Sequence, residues 1–418
     1  MSSKHQHLIL LAILALAVLL RLGVALYLGD RVEVLPGIHD QLSYDHLAQQ
    51  ILAGKGYQFD TNWYPFTPAG TPTAHWSFLY PLYLAGVYAV VGYHPLIARL
   101  LQAIIAGIML PWLAFRLGRR LWGVPAGLAA VLMMAFYGYF IYHNAALMTE
   151  TFYMVLILWT FDLAYQMRKT GNNRYWWLLG LNMGLIVLLR QVFLFFVPVL
   201  LLWLAWDSHV SRLRLFLAGI IVILCIFPWT ARNYLKYKQF LLLNSNSGYA
   251  LYTANHPDQG TTWQPYYVAP IPTDLQGKNE AVLDRELTAR GLAFITADPV
   301  RYLQLTLSRI PYHFRFWPSS DAGLTSNIIR AISFGFYLPF MLVGLYLSRS
   351  DWRQLLPFYL FALLFIGLHV ASWPGPRYRF PVDALFMVFA GLAIAHLLAH
   401  LLTLRNRSET IMAEVHDI

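Results

Sequence analysis

Charge is scarce in this 418-residue chain: Asp, Glu, Lys and Arg make up 12% of it, against 58% hydrophobic residues. So little polar side chain cannot coat a globule of this size, which excludes a soluble fold. Cysteine is almost missing. The single Cys225, set inside an apolar run, excludes an intramolecular disulfide framework and a cysteine-rich metal site. Internal repeats and low-complexity tracts are absent, and the first apolar run lacks a small-residue cleavage site, so it reads as a retained helix. Acidic residues number 20 against 30 basic ones, a formal charge of +10. In a membrane protein such an excess belongs to cytoplasmic loops and anionic lipid, so nucleic acid is not an expected partner.

What the chain does have is apolar runs. Leu8–Leu28, Ile328–Leu347 and Val382–Leu402 are each long enough to cross about 30 Å of hydrocarbon. The expected fold class is an all-α polytopic membrane protein. Lys4, His5 and His7 put the N-terminus in the cytoplasm. Were Phe78–Val91 and Pro95–Leu117 both crossings, Arg116, Arg119 and Arg120 would lie outside, against the positive-inside rule. The shorter piece is therefore expected to be juxtamembrane. With that parity the count is roughly ten crossings, both termini inside. The chain reads as one membrane domain over 1–418, with a first outer loop at 29–94 and a long outer loop at 231–327. The second loop is too long for a mere connection, and Glu280–Ala297 within it reads as a helix.

The first outer loop opens with an amphipathic pattern. Tyr44, Leu47, Ala48, Ile51 and Leu52 recur at helical spacing, while Asp45, His46, Gln49 and Gln50 fall opposite, and Gly54 and Gly56 supply the stop. Asp40 stands one turn before Tyr44. It can be a plain N-cap or a general base held where lipid meets water, and local sequence leaves both open.

Several charges break the inside rule. Arg190, Arg232, Lys236, Lys238, Arg377 and Arg379 fall at outer helix ends, and Arg21 and Arg99 lie inside apolar runs. Each alone can snorkel to head groups. Together, guanidiniums converging on one face make a phosphate site. Asp40, Asp45, Asp60 and Glu150 share that side; Glu150 can serve its helix N-terminus or orient a catalytic partner. A sugar carried on a lipid phosphate leaves without a general acid if arginines meet the departing charge, while the acceptor hydroxyl needs a carboxylate to take its proton. One acid and several outward arginines are the minimum for such a transfer. A transporter or flippase of polyprenyl-linked sugars is the alternative, although transporters gather charges at mid-membrane, often in inverted repeats.

In order and spacing, the chain resembles the GT-C membrane glycosyltransferases of the dolichyl-phosphate-mannose protein mannosyltransferase and aminoarabinose transferase type. The likeness rests on Arg21-Leu22, Asp40 with Tyr44, Gly56-Tyr57, Phe78 through Ala85, Ala98-Arg99 with Gln102, Leu117 through Gly123, Thr149-Glu150, Leu189-Arg190, Pro228 through Tyr234, Asn246 through Gly248, and Arg377 through Pro381. It implies a GT-C-type bundle with juxtamembrane helices. It further implies an inverting transferase that takes a hexose or pentose from a polyprenyl-phosphate donor to a lipid, glycan or protein acceptor. The active site would face the extracytoplasmic side of the plasma (inner) membrane. Asp40 and Glu150 are then the expected catalytic acids. Arg377 and Arg379 are the expected phosphate clamp, and Tyr44, Tyr378, Arg190 and Arg232 further substrate contacts. Gln41 departs from the family's Asp-Glu pair. Some members use a divalent metal; His39, His75, His256 and His313 stand outside but show no ligand-pair spacing.

Overall fold

The computed structural model describes residues 3–170, 173–206, 210–320 and 323–416. In chain order the helices are α1 (Ser3–Leu28), α2 (Gln41–Leu52), α3 (Leu79–Val91), α4 (Pro95–Trp122), α5 (Val124–Phe136), α6 (Gly138–His143), α7 (Glu150–Thr170) and α8 (Trp176–Leu189). There follow α9 (Phe196–Trp206), α10 (Arg212–Tyr237), α11 (Ser247–Asn255), α12 (Glu280–Ala297), α13 (Pro299–His313), α14 (Leu324–Arg330), α15 (Phe336–Leu347), α16 (Trp352–Ala371) and α17 (Phe380–His416). Among the described residues there is no extended strand, only isolated bridges in the outer loops. Six helical stretches are long and apolar enough to cross a membrane: those around α1, α4, α10, α14–α15, α16 and α17. The chain is a multi-pass membrane protein. Shorter apolar helices include α3, α5 and α8. The 13 residues of α3 span about 20 Å, too short for a crossing, and α3 lies against α2 and α4.

Helix α17 is central. Its Ala384, Leu385, Met387, Val388, Phe389 and Ala390 are fully buried, against α5, α4, α7 and α15. Small residues permit this, since lipid offers no hydrophobic drive between helices and close backbone approach must supply the contact. A Cβ on Gly391 would lie 2.6 Å from the Ala130 amide nitrogen, and one on Gly344 2.0 Å from the Phe389 carbonyl. On the basic side, Asp162 of α7 is buried between Arg116 (2.8 Å) and Arg120 (3.0 Å) of α4.

The two buried arginines of the apolar runs are tied to main chain. Arg21 donates to the carbonyls of Ala17, Met134 and Ala135. Arg99 donates to those of Ala145 and Arg31 and to Gln41 Oε1. Gln102, one turn on, holds the carbonyls of Asn144 and Ala146. Helix α4 thus fixes both the start of α2 and the segment leading into α7. The segments 29–94 and 231–327 are joined by one buried carboxylate. Glu280, at the start of α12, accepts from Thr67 Oγ1, the Ala74 amide and Ser245 Oγ, each at 2.7 Å. Helix α12 occupies the span expected from sequence, capped by Asn279, whose side chain accepts from the Val282 amide.

Candidate active site

Asp40 occupies the N-cap position of α2 yet makes no capping hydrogen bond. Its Oδ2 is instead 2.7 Å from Nη2 of Arg377, both side chains four-fifths buried. The local pattern put Asp40 at this helix end; the distant arginine takes the carboxylate away from the cap. Helix α2 is held from both faces. Tyr44, Leu47 and Ala48 are buried as the spacing requires, and Gly54 (φ +70°) makes the left-handed stop. The opposite face is covered too. Asp45 accepts from Tyr88 (2.6 Å) and Tyr93 (2.9 Å), because α3 and the turn after it fold over it.

Glu150 opens α7 and is 2% exposed. Its Oε1 lies 2.5 Å from Arg190 Nη2, and Arg190 Nε donates to Thr149 Oγ1 at 3.0 Å. The two ion pairs form one cluster: Arg377 also faces Glu150 electrostatically, and Arg190 faces Arg377. Tyr378 sits between the guanidiniums, its ring 5.0 Å from that of Arg377 and 5.6 Å from that of Arg190, with its hydroxyl accepting from Arg377 at 3.1 Å. The buried Tyr44 hydroxyl interacts with Asp40, Arg190, Glu150 and Arg377 together. Burial first, then Asp40, pushes it above the ordinary phenol range, so it stays a neutral donor.

Asp40, Tyr44, Glu150, Arg190, Arg377 and Tyr378 are therefore brought together. Arg379 and Arg232 are not. Arg379 is 1% exposed, with Nε on both Asp383 oxygens (3.0 and 3.2 Å), Nη1 on the His313 carbonyl, and its guanidinium 3.4 Å from the Phe334 ring centroid. The reason is the 3-10 turn over Pro376–Arg379: residues two apart in such a turn point roughly 120° apart, so only Arg377 reaches the cluster. Arg232 donates to the carbonyls of Thr73 and Tyr57 and lies over Trp229, away from both acids.

Sequence reasoning took His143, one turn before Leu147, for a buried core histidine and passed over His369. His143, buried and packed on Phe380, interacts with Glu150 and both cluster arginines. His369 stacks on Tyr378 at 4.7 Å and 13°. Neither has a sequence partner at helical spacing that would have flagged it. Gln41, the departure from the Asp-Glu pattern, has a structural use: its Oε1 accepts from Arg99 and from the Leu147 amide, joining the Asp40 turn to the Glu150 turn.

This fold and site define a polytopic helical membrane protein with two acid–guanidinium pairs set together at helix ends. Residues 75–231 match the family model described as dolichyl-phosphate-mannose-protein mannosyltransferase, a stretch that holds Glu150 and Arg190 but neither Asp40 nor Arg377. No curated protein sequence matches the chain. Among solved structures, the chain is similar to the archaeal oligosaccharyltransferase AglB from Archaeoglobus fulgidus in complex with an inhibitory peptide and a dolichol-phosphate. That match has TM-score 0.59 and 15% identity, covering 96% of this chain and 52% of that one. The apo form of the A. fulgidus oligosaccharyltransferase matches with TM-score 0.59 and 14% identity, covering 96% and 52%. Its complex with Zn and sulfate matches with TM-score 0.57 and 13% identity, covering 93% and 49%. The chain spans about half the length of these structures, and the likeness is one of fold.

The residues here do not suit a divalent cation. Among the described residues no three His, Cys, Asp or Glu side chains gather as metal ligands, and Asp40 and Glu150 each already hold a guanidinium.

Proposed function

We propose that this protein is an inverting glycosyltransferase that moves a sugar from a polyprenyl-phosphate donor to an acceptor hydroxyl on the extracytoplasmic face of the cell membrane. The observation that carries the proposal is the Asp40–Arg377 ion pair beside the Glu150–Arg190 pair. The single membrane domain and its two outer loops, 29–94 and 231–327, belong to the same proposal. Asp40 is the general base and Arg377 the phosphate clamp, with Arg190 adding positive charge and Glu150 fixing Arg190. The fork of Arg377 matches a phosphate better than a single carboxylate oxygen, so an arriving donor draws it from Asp40 and frees the base.

In the transfer step, Asp40 takes the acceptor O–H proton as that oxygen bonds to the anomeric carbon. The bond from that carbon to the phosphate oxygen breaks on the opposite face, and the electron pair leaves with the polyprenyl phosphate. Its growing charge meets Arg377 and Arg190, preorganised where water is largely excluded. The neutral Tyr44 hydroxyl is available to orient the acceptor or the phosphate.

The test uses purified protein in vesicles loaded with a radiolabelled polyprenyl-phosphate sugar and a cell-envelope extract as acceptor. The expected result is label on an acceptor, with release of polyprenyl phosphate and an inverted anomeric bond by NMR. Label that crosses the bilayer but never leaves its lipid would instead mark a flippase.

A further inference from the structure

A second basic site lies away from the Asp40 cluster. The outer end of α10, the end of α2 and the start of α3 enclose a cleft of about 390 Å³. Three cations border it, Lys55, Arg232 and Lys236, and no carboxylate does. The remaining wall is apolar and aromatic: Phe78 stacks on Trp229 at 4.2 Å, with the edge of Tyr57 against both. Tyr57 lines the cleft with its hydroxyl spent on the carbonyls of Trp76 and Ser77, and none of Asp40, Tyr44, Glu150, Arg190, Arg377 and Tyr378 borders it.

The three cations differ in how they are held. Arg232 is fixed by the Thr73 and Tyr57 carbonyls and by Asn233 Oδ1. Those partners are neutral, so its charge is not cancelled. Lys55 and Lys236 are exposed. Pro228, Arg232 and Lys236 succeed one another at four-residue spacing on α10, so they share one face of the helix. One turn earlier on that face is Leu224, 61% exposed along the membrane-spanning part of α10. The cleft therefore has a cationic mouth at the outer end of a crossing and an apolar track leading into the bilayer.

We propose that this cleft is a second lipid site, which takes the phosphate head of a membrane lipid between Lys55, Arg232 and Lys236 while the apolar chain leaves along the Leu224 face of α10. An aqueous phosphate has no use for the track. A neutral lipid has none for three cations. The site is distinct from the one over Asp40 and does not depend on the transferase reading.

The probe is farnesyl phosphate carrying a photoreactive diazirine, added to the full-length protein in nanodiscs, with farnesol bearing the same group as the neutral control. Adducts are expected on the peptides around 51–58 and 228–236. Lys55→Gln/Lys236→Gln, which changes two exposed side chains and leaves the anchored Arg232, is expected to lower that labelling roughly tenfold or more with thermal stability unchanged. Arg377→Gln is expected to leave it intact. Unchanged labelling in the double variant, adducts confined to peptides around Asp40 and Arg377, equal labelling by the farnesol probe, or displacement by an equal concentration of inorganic phosphate would each overturn the proposal.

Discussion

Asp40 Oδ2 and Arg377 Nη2, from opposite ends of the chain, are 2.7 Å apart. This contact joins the start of α2 to the turn that leads into α17. On the proposed mechanism it is also a resting state: the base is held by the group that will hold the leaving phosphate. A carboxylate at a helix start usually caps its own helix; here the cap bond is missing and the carboxylate is turned to Arg377.

Arg377 and Arg379 should separate cleanly in mutagenesis. Arg377→Lys keeps the charge but loses the bidentate fork, so kcat/KM for the donor should fall at least roughly tenfold with little change in melting temperature. Arg379→Met strands Asp383 in the core and should cost stability, on the order of 3 kcal/mol, while whatever protein folds keeps its KM. Tm and steady-state kinetics on both variants provide the check.

The Glu150–Arg190 pair predicts non-additivity. Glu150→Gln leaves a largely buried guanidinium without its anion and should destabilise by about 3–5 kcal/mol. Glu150→Gln/Arg190→Met should be more stable than that single variant, because it removes the stranded charge. Both should be catalytically poor. Thermal unfolding of the parent, Glu150→Gln, Arg190→Met and the double variant in one detergent tests the cycle.

Acid should weaken the protein through His313, which is buried at the end of α13. Burial first, then the charges of Arg379 and His369, lowers its pKa from 6.5 to about 3. Below pH 6.5 the unfolded chain takes up a proton that the folded chain refuses, so stability is full above that pH and falls toward pH 3. His313→Gln should flatten the slope of Tm against pH between 7 and 5. A slope as steep as in the parent protein would remove His313 as its source.

Chelation should change nothing. With each acid paired to an arginine, and no ligand cluster among the described residues, turnover in excess EDTA is expected to equal turnover with added magnesium, manganese or zinc. Activity lost to EDTA and restored by one of these would require a cation between Asp40 and Glu150.

How much of this could be read from sequence depends on the range of the interaction concerned. Helix α2 and its glycine stop follow from periodicity within twenty residues, and α12 from its cap and composition. The expectation that the piece before α4 does not cross came from the positive-inside count at Arg116, Arg119 and Arg120, and the 13 residues of α3 agree with it. Arg190 and Arg377 stood out in the sequence because a basic residue set against the inside rule is costly enough to imply a reason, and Asp40 and Glu150 because the same count read them on that side. Which arginine meets which acid was not legible. Arg379 looks equivalent to Arg377 until the 3-10 turn sends them apart, and Arg232 looks like a clamp until α10 and the first outer loop carry it to a different cleft. His369 carries no local pattern, and that of His143 says only that it is buried. Their relevance comes from packing between helices distant in sequence.

Asp40→Asn is the most direct test of the account. It keeps the shape and a hydrogen bond to Arg377 but cannot take a proton. Binding of a non-transferable donor analogue and single-turnover transfer should be measured on the same folded sample. The account predicts donor affinity within about threefold of the parent and transfer reduced by a factor of roughly 100 to 10,000. Transfer at near-parental rates with intact donor binding would contradict the assignment of Asp40 as the base.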